Sequence, residues 1–212
     1  MLVGERIRGA IPDALVLVEH PPVVTLGRHR QPDAFTALAT DRDVPVYEIE
    51  RGGQATYHGP GQLVGYPIVK LEDERRDLHR YLRDLEVVLM DALGEFGIST
   101  QRSEGATGVW TSGQPSRKLA SIGIAVRRWV TYHGFALNVS TDLRDFRLIS
   151  PCGFDPEVMT SMTQELNRPV PLDEVKPSIH KAFERQFDVD LHPRDLRALD
   201  VSAVQHEVVS RD

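Results

Sequence analysis

The chain has 212 residues, 41% of them hydrophobic and 26% charged, which fits neither a disordered segment nor a membrane protein and is enough to bury a substantial core. A net charge of -6, from 25 basic and 31 acidic residues, argues against a protein whose main work is neutralising nucleic-acid phosphates. One cysteine excludes an internal disulfide and the zinc sites built on several thiolates, and points to a reducing, cytoplasmic setting.

The first residues, MLVGER, carry charge too early for a secretory core, and no uncharged apolar stretch reaches the roughly 20 residues that span a bilayer. Glycine and proline are spread along the chain with no repeat or low-complexity tract. A single domain over residues 1–212 is expected, with 192–212 as a C-terminal tail. Residues 14–19 read as a buried strand, 44–49 as a second, and 62–69 as a third of edge or bulged type because of Pro67. From 77 to 96, Leu78, Tyr81, Leu82, Leu85, Val88, Leu89, Ala92, Leu93 and Phe96 recur at helical spacing, and Gly97 can close the helix.

Strands are then expected at 108–111, 118–126 and 129–137, the last two forming a hairpin that turns at Arg127 and Arg128. A loop carrying Ser150, Pro151, Cys152 and Gly153 follows. A short helix at 161–166 precedes one at 173–187 with Val175, Ile179, Phe183 and Phe187 on one face. Strands first, with helices interleaved and last, predict an α/β fold of the mixed α+β kind.

A lone cysteine is most often a small hydrophobe in the core. Cys152 differs, because Pro151 and Gly153 put it on a turn where a thiol can meet a substrate and backbone N–H groups can face an oxyanion. Its reactivity needs thiolate. At a pKa of about 8.5 only about 3% is ionised at pH 7, and a nearby ammonium that lowers the pKa to about 7 raises this to half. Of the basic residues only Lys70, Lys118, Lys176 and Lys181 are lysine. Arginine holds its proton at any working pH, so Lys118 is a candidate for proton chemistry.

Residues 51–62, RGGQATYHGPGQ, form the densest glycine segment. They read either as a connector or as a substrate wall, where Gly52 and Gly53 let a ligand approach the backbone and the Arg51 fork meets a phosphate or carboxylate. Neither the Walker nor the Rossmann glycine pattern is present. His58 and His133 sit in matching Tyr-His-Gly contexts, where imidazole either orients a loop or touches substrate. No His-x-x-x-His or Glu-x-x-His pair lies on a predicted helix, so no metal is expected. A cysteine protease is not excluded by residue order, but no local protease signature surrounds Cys152.

Five segments taken together, EHPPVVTLG (19–27), RGGQATYHGPGQLVGYPI (51–68), KLASIGI (118–124), HGFALNV (133–139) and ISPCG (149–153), resemble the lipoyl(octanoyl) transferases. The resemblance covers about residues 11 to 191 in the family's order. It implies a biotin/lipoate-ligase-like α/β catalytic domain, a mixed sheet flanked by helices, with no metal and no nucleotide. It also implies two acyl transfers: Cys152 takes octanoyl from the phosphopantetheine thioester of octanoyl-acyl carrier protein, and a lysine of an apo lipoyl domain then attacks the acyl-enzyme. The acceptors it implies are the lipoyl domains of 2-oxoacid dehydrogenase complexes and the glycine cleavage H protein; no nucleic acid or membrane takes part.

By the same resemblance Lys118 partners the cysteine. The substrate-contacting segments are Arg51, Gly52, Gly53, Gln54, Ala55, Thr56, Tyr57 and His58; Ser121, Ile122 and Gly123; and Gly134, Phe135 and Ala136. Family members usually carry a strand and most of a helix before the segment matching Ile11-Pro12-Asp13. Here ten residues precede it, so either the start is misassigned or an edge strand is missing. Two other readings stand beside this one: an ATP-dependent lipoate–protein ligase, with the motif lysine on an adenylate phosphate, and a non-catalytic module binding acyl carrier or lipoyl domains. Cys152 speaks against the first, and the retention of both Cys152 and Lys118 against the second.

Overall fold

Backbone pairing in the computed structural model, which describes residues 2–29, 43–149 and 155–192, gives two sheets. Helix α1 (Leu2–Ile7) leads into β1 (Ala14–Val18), β2 (Val23–Leu26), β3 (Val46–Glu48), β4 (Ala55–His58) and β5 (Gln62–Ile68). Helix α2 (Leu78–Gly94) is followed by β6 (Thr100–Ser103), β7 (Ala106–Thr111), β8 (Lys118–Arg127) and β9 (Val130–Asn138). The 3-10 turns at Asp73–Arg75, Leu143–Leu148 and Pro156–Val158 and helices α3 (Met162–Leu166) and α4 (Leu172–Phe187) complete the described elements. The larger sheet runs β1-β5-β9-β8-β7-β6 and is antiparallel throughout. The smaller, β3-β2-β4, is mixed, with β2 parallel to β3 and antiparallel to β4.

The helical periodicity holds. Asp77 caps α2 by accepting from the N–H groups of His79 and Arg80 at 2.8 and 3.1 Å, and Gly97, at φ +76°, turns the chain out of it. Tyr81, Leu85 and Leu89 of α2 meet Ile179, Phe183 and Phe187 of α4 over Leu63, Leu119 and Leu137 of the large sheet. Each such side chain stabilises the fold by about 1.5–3 kcal/mol relative to exposure. Leu78 breaks the pattern: it is 39% exposed, at the first turn of the helix. A second cluster joins Val24, Leu26, Ala55 and Tyr57 of the small sheet to Phe146, Leu148, Ile149 and Met159.

Three strands go beyond the sequence expectations: β2, β4 within the glycine-rich segment 51–62, and the polar β6. Strand β5 is not an edge, since β1 and β9 flank it. It tolerates Pro67 because pairing with β9 stops at Gly65, so no ladder bond needs the missing N–H. The Pro67 carbonyl is still satisfied, accepting from Thr131 Oγ1 at 2.8 Å. The hairpin turns one residue later than expected, at Arg128 and Trp129, both at positive φ (+49° and +62°), with Arg127 opposite Val130. Among the described residues no helix is long and apolar enough to cross a membrane.

Candidate active site

The two sheets meet around a cavity of about 530 Å³, within the usual range for a small-molecule site. The loop after β3 forms one wall and is fixed by its own arginine. Arg51, only 7% exposed, donates to the Thr25 carbonyl at 2.8 Å, to Thr25 Oγ1 at 3.0 and 3.3 Å, and to the Gly52 carbonyl at 3.1 Å. The fork holds the wall together. The Gly52 N–H donates to the Ile124 carbonyl at 2.9 Å, which lays the loop directly on β8.

Period-two alternation sorts the rest of that segment. Gly52, Gly53, Gln54, Thr56 and His58 line the cavity together with Arg51. Ala55 and Tyr57 do not line it; they point into the second cluster, where Tyr57 stacks edge-on against Phe146 and donates to Asp145 Oδ2 at 2.8 Å. Ser121, Ile122 and Gly123 of β8 and Gly134, Phe135 and Ala136 of β9 all line the cavity. The register explains why they converge, pairing Ser121 with Ala136, Ile122 with Phe135 and Gly123 with Gly134.

Lys118, at the start of β8, also lines the cavity and is 4% exposed. Its ammonium sits 5.3 Å from the centroid of the Trp110 ring, within cation–π reach. Its stem passes Gly108, where an added Cβ would lie 2.9 Å from Lys118 Cε. The fully buried Glu86 holds β7 there: it accepts from the Gly108 N–H at 3.2 Å and from Arg83 and Arg102 at 2.7 and 2.8 Å. Met159 bridges to Lys118, and the Thr160 N–H donates to the Lys118 carbonyl at 3.0 Å. Cys152, with Ser150, Pro151 and Gly153, lies outside the described residues.

Among the described residues three histidines, His29, His58 and His133, line the cavity, and the last two are held as neutral rings. Burial, reinforced by the Arg51 charge, pushes His58 down to about 4 although Gln62 opposes the shift. Burial and Arg51 also bring His133 to about 4. His133 sits at φ +58° inside a strand, a conformation that costs a non-glycine residue about 1–2 kcal/mol. At the rim, Tyr132 donates to Glu50 at 2.7 Å and, with Arg127, holds that carboxyl below its usual range.

Sequence reasoning missed Thr25, Tyr66, Leu82 and Thr107, which also line the cavity. Thr25 and Tyr66 were legible in the segments 19–27 and 51–68. The others lie on elements whose inner face depends on how the sheets meet.

The family described as the lipoyl protein ligase A/B catalytic domain matches residues 1–184. An octanoyltransferase of Geobacter metallireducens is 50% identical over 180 residues, covering 85% of this chain and 81% of the relative. An octanoyltransferase of Gloeobacter violaceus is 49% identical over 187 residues, covering 88% and 81%. The solved bi-partite lipoate protein ligase of Thermoplasma acidophilum superposes with a TM-score of 0.74 at 18% identity, covering 91% of this chain and 79% of its own, a likeness of fold. With the family model matched over residues 1–184 and about half of its residues shared with octanoyltransferases, the chain belongs to the lipoyl protein ligase A/B catalytic-domain family and, within it, to the octanoyltransferases, which are acyltransferases.

Proposed function

We propose that the protein moves an octanoyl group from octanoyl-acyl carrier protein to the acceptor lysine of apo lipoyl domains through a thioester on Cys152. What carries this reading is the cavity that brings Lys118 together with residues 51–54, Thr56, His58, 121–123 and 134–136, in a chain half identical to octanoyltransferases. In the first step the Cys152 thiolate attacks the donor thioester carbonyl. The new C–S bond forms, the old one breaks, and the pantetheine thiolate leaves and takes up a proton. In the second, the neutral acceptor amine attacks the acyl-enzyme, the amide forms, and the amine's surplus proton returns to the Cys152 thiolate.

Thioester exchange is close to isoenergetic and amide formation runs downhill, so neither step needs a nucleotide. Lys118 is the proposed partner of the thiol, as a charge that favours thiolate and as the group that relays the proton. Arg51, Gly52, Gly53, Gln54, Thr56 and His58, with the two glycine-bearing strand segments, are the proposed walls for the acyl chain. Ala55 and Tyr57 act behind them, packing the wall from its far side. Lipoyl-domain proteins are the proposed acceptors, the 2-oxoacid dehydrogenase and glycine-cleavage members among them.

Intact-mass spectrometry after mixing with octanoyl-acyl carrier protein tests the scheme. A single octanoyl adduct mapped to Cys152, discharged by an apo lipoyl domain without nucleotide, is expected. An adduct elsewhere, no adduct during turnover, or a requirement for ATP and magnesium would overturn it, the last in favour of a ligase.

A further inference from the structure

A chain of buried amides runs from the frame of Lys118 to the cavity face of His58, and every hydrogen bond in it has only one allowed direction. It starts at the carbonyl of Thr160, an acceptor only, whose own N–H is bound to the Lys118 carbonyl. Asn138 therefore presents its NH₂ to Thr160, at 3.0 Å, and its Oδ1 to Gln62 Nε2, at 2.9 Å. Gln62 spends its second N–H on the Tyr57 carbonyl, at 3.2 Å, leaving Oε1 to face His58 Nδ1 at 2.8 Å. Gln62 and Asn138 are each 1% exposed, so water does not compete with this order. The Gln62 oxygen can only accept, so His58 carries its hydrogen on Nδ1.

Nε2 of His58 then carries no hydrogen and can only accept. Among the described residues Thr25 Oγ1 stands 3.5 Å from it, at the edge of hydrogen-bonding range, and, accepting from Arg51, offers Nε2 only a long hydroxyl contact. Arg51 alongside opposes protonation of the ring. A group so arranged cannot donate to a substrate carbonyl from Nε2. It can accept from a substrate N–H.

We propose that Asn138 and Gln62 are positioning residues that lock His58 in its Nδ1–H form, so that Nε2 accepts a hydrogen bond from a substrate N–H during acyl transfer. The octanoyl chain has no such donor. The acceptor lysine has one in its amine, and the pantetheine arm of the donor has others in its amides. The inference rests on the acyl-transfer reading, but the state of the ring is measurable without turnover.

Nitrogen-15 spectra of the histidine-labelled full-length protein, with His58 assigned by its loss in His58→Asn, should show protonated Nδ1 and bare Nε2 at pH 7. A ring protonated on Nε2, or charged, would overturn the lock whatever the reaction proves to be. His58→Asn keeps a donor toward Gln62 and deletes Nε2. Its rate should fall on the order of tenfold, the worth of one hydrogen bond, in a single half-reaction. Loss in discharge to an apo lipoyl domain assigns the bond to the acceptor amine; loss in charging from octanoyl-acyl carrier protein assigns it to the pantetheine amide. Wild-type rates in both, with the adduct still on Cys152, would overturn the role of Nε2 and leave the acyl-transfer reading standing. Gln62→Met should release the tautomer, with Nε2–H signal appearing and the same half-reaction slowed. Should it misfold, the wild-type spectrum still decides the lock.

Discussion

Replacing Gly108 with alanine should disturb Lys118 from behind. Gly108 lies at φ +131°, where an L-residue pays about 1–3 kcal/mol in backbone strain. The new Cβ would also lie 2.3 Å from the Ala120 carbonyl oxygen, short of even a tight 3.0 Å contact by 0.7 Å, and 2.9 Å from Lys118 Cε. The carbonyl belongs to β8 at a fully buried residue and cannot swing away like a side-chain tip. Strain and clash together put the loss of stability at about 3–4 kcal/mol, in the range of core damage. If the lysine is carried along by something approaching 1 Å, acyl transfer should fall up to about 10²-fold. Gly97→Ala is the control, since Gly97 has φ +76° but nothing within 4 Å of an added Cβ. It should lose about 1 kcal/mol from strain alone and keep full activity. Urea unfolding and single-turnover acylation of the folded fraction would measure both. Equal stability loss in the two variants, with wild-type rates for Gly108→Ala, would refute the claim that this glycine makes room for Lys118.

Lys118→Arg should keep a charge beside the thiol and still acylate, yet discharge at least about 10²-fold more slowly because arginine cannot relay a proton, whereas Lys118→Ala should slow acylation near pH 7 as the thiol returns toward about 8.5. Rates of both steps and of thiol alkylation against pH check this; unchanged values for Lys118→Ala would remove the lysine from the chemistry. Gly52→Val should leave the fold intact, because a Cβ there meets only the Ile124 carbonyl at 3.5 Å, while its methyl groups narrow the cavity; an unchanged KM for the octanoyl donor would make the turn a mere connector. Stability should fall on acidification, because the folded protein keeps His58 neutral down to about 4 while the unfolded chain takes up the proton near 6.5. The His58 contribution amounts to about 3 kcal/mol, of which about 2 is gone by pH 5, and His133 acts in the same direction; urea midpoints at pH 7 and 5 that agree would contradict it. Thr131→Val should cost about 3 kcal/mol by urea unfolding, since it orphans the Val69 N–H, the Pro67 carbonyl and the Tyr81 hydroxyl in a fully buried site.

Long helices were the easiest elements to read, because a helix that packs on a sheet must repeat its apolar residues every three or four positions, as Leu85, Leu89 and Ile179, Phe183 do. The small sheet was hidden for the opposite reason. Strand β4, Ala55–His58, is four residues long between glycine turns and buried on both faces, so Thr56 and His58 look no different in sequence from loop residues. Strand β6, Thr100–Ser103, has no apolar residue at all and is held by its pairing with β7. The site segments were legible as motifs. What the motif could not reveal was direction: the run from Arg51 to His58 is split by strand alternation over Ala55–His58, and Arg51, which the sequence offers as a phosphate fork, makes four hydrogen bonds to Thr25 and Gly52.

Three glycines of those motifs, Gly27, Gly123 and Gly134, share one physical cause. An added Cβ at Gly27 would lie 2.3 Å from the Gly53 carbonyl oxygen, at Gly123 2.9 Å from that of Gly52, and at Gly134 2.1 Å from that of Gly65. In each case a glycine on a strand or directly after one meets the backbone of a glycine on a neighbouring segment. The first two contacts seat the Arg51 loop on both sheets at once; the third lets β9 close against β5 where Pro67 ends the ladder. With no side chains at these crossings, the loop can approach β8 closely enough for the Gly52 N–H to reach the Ile124 carbonyl, and the wall of the cavity there is peptide backbone. A methyl group at Gly123 would therefore act first on the wall, lifting Gly52 and Arg51 together, and only through them on whatever the cavity holds.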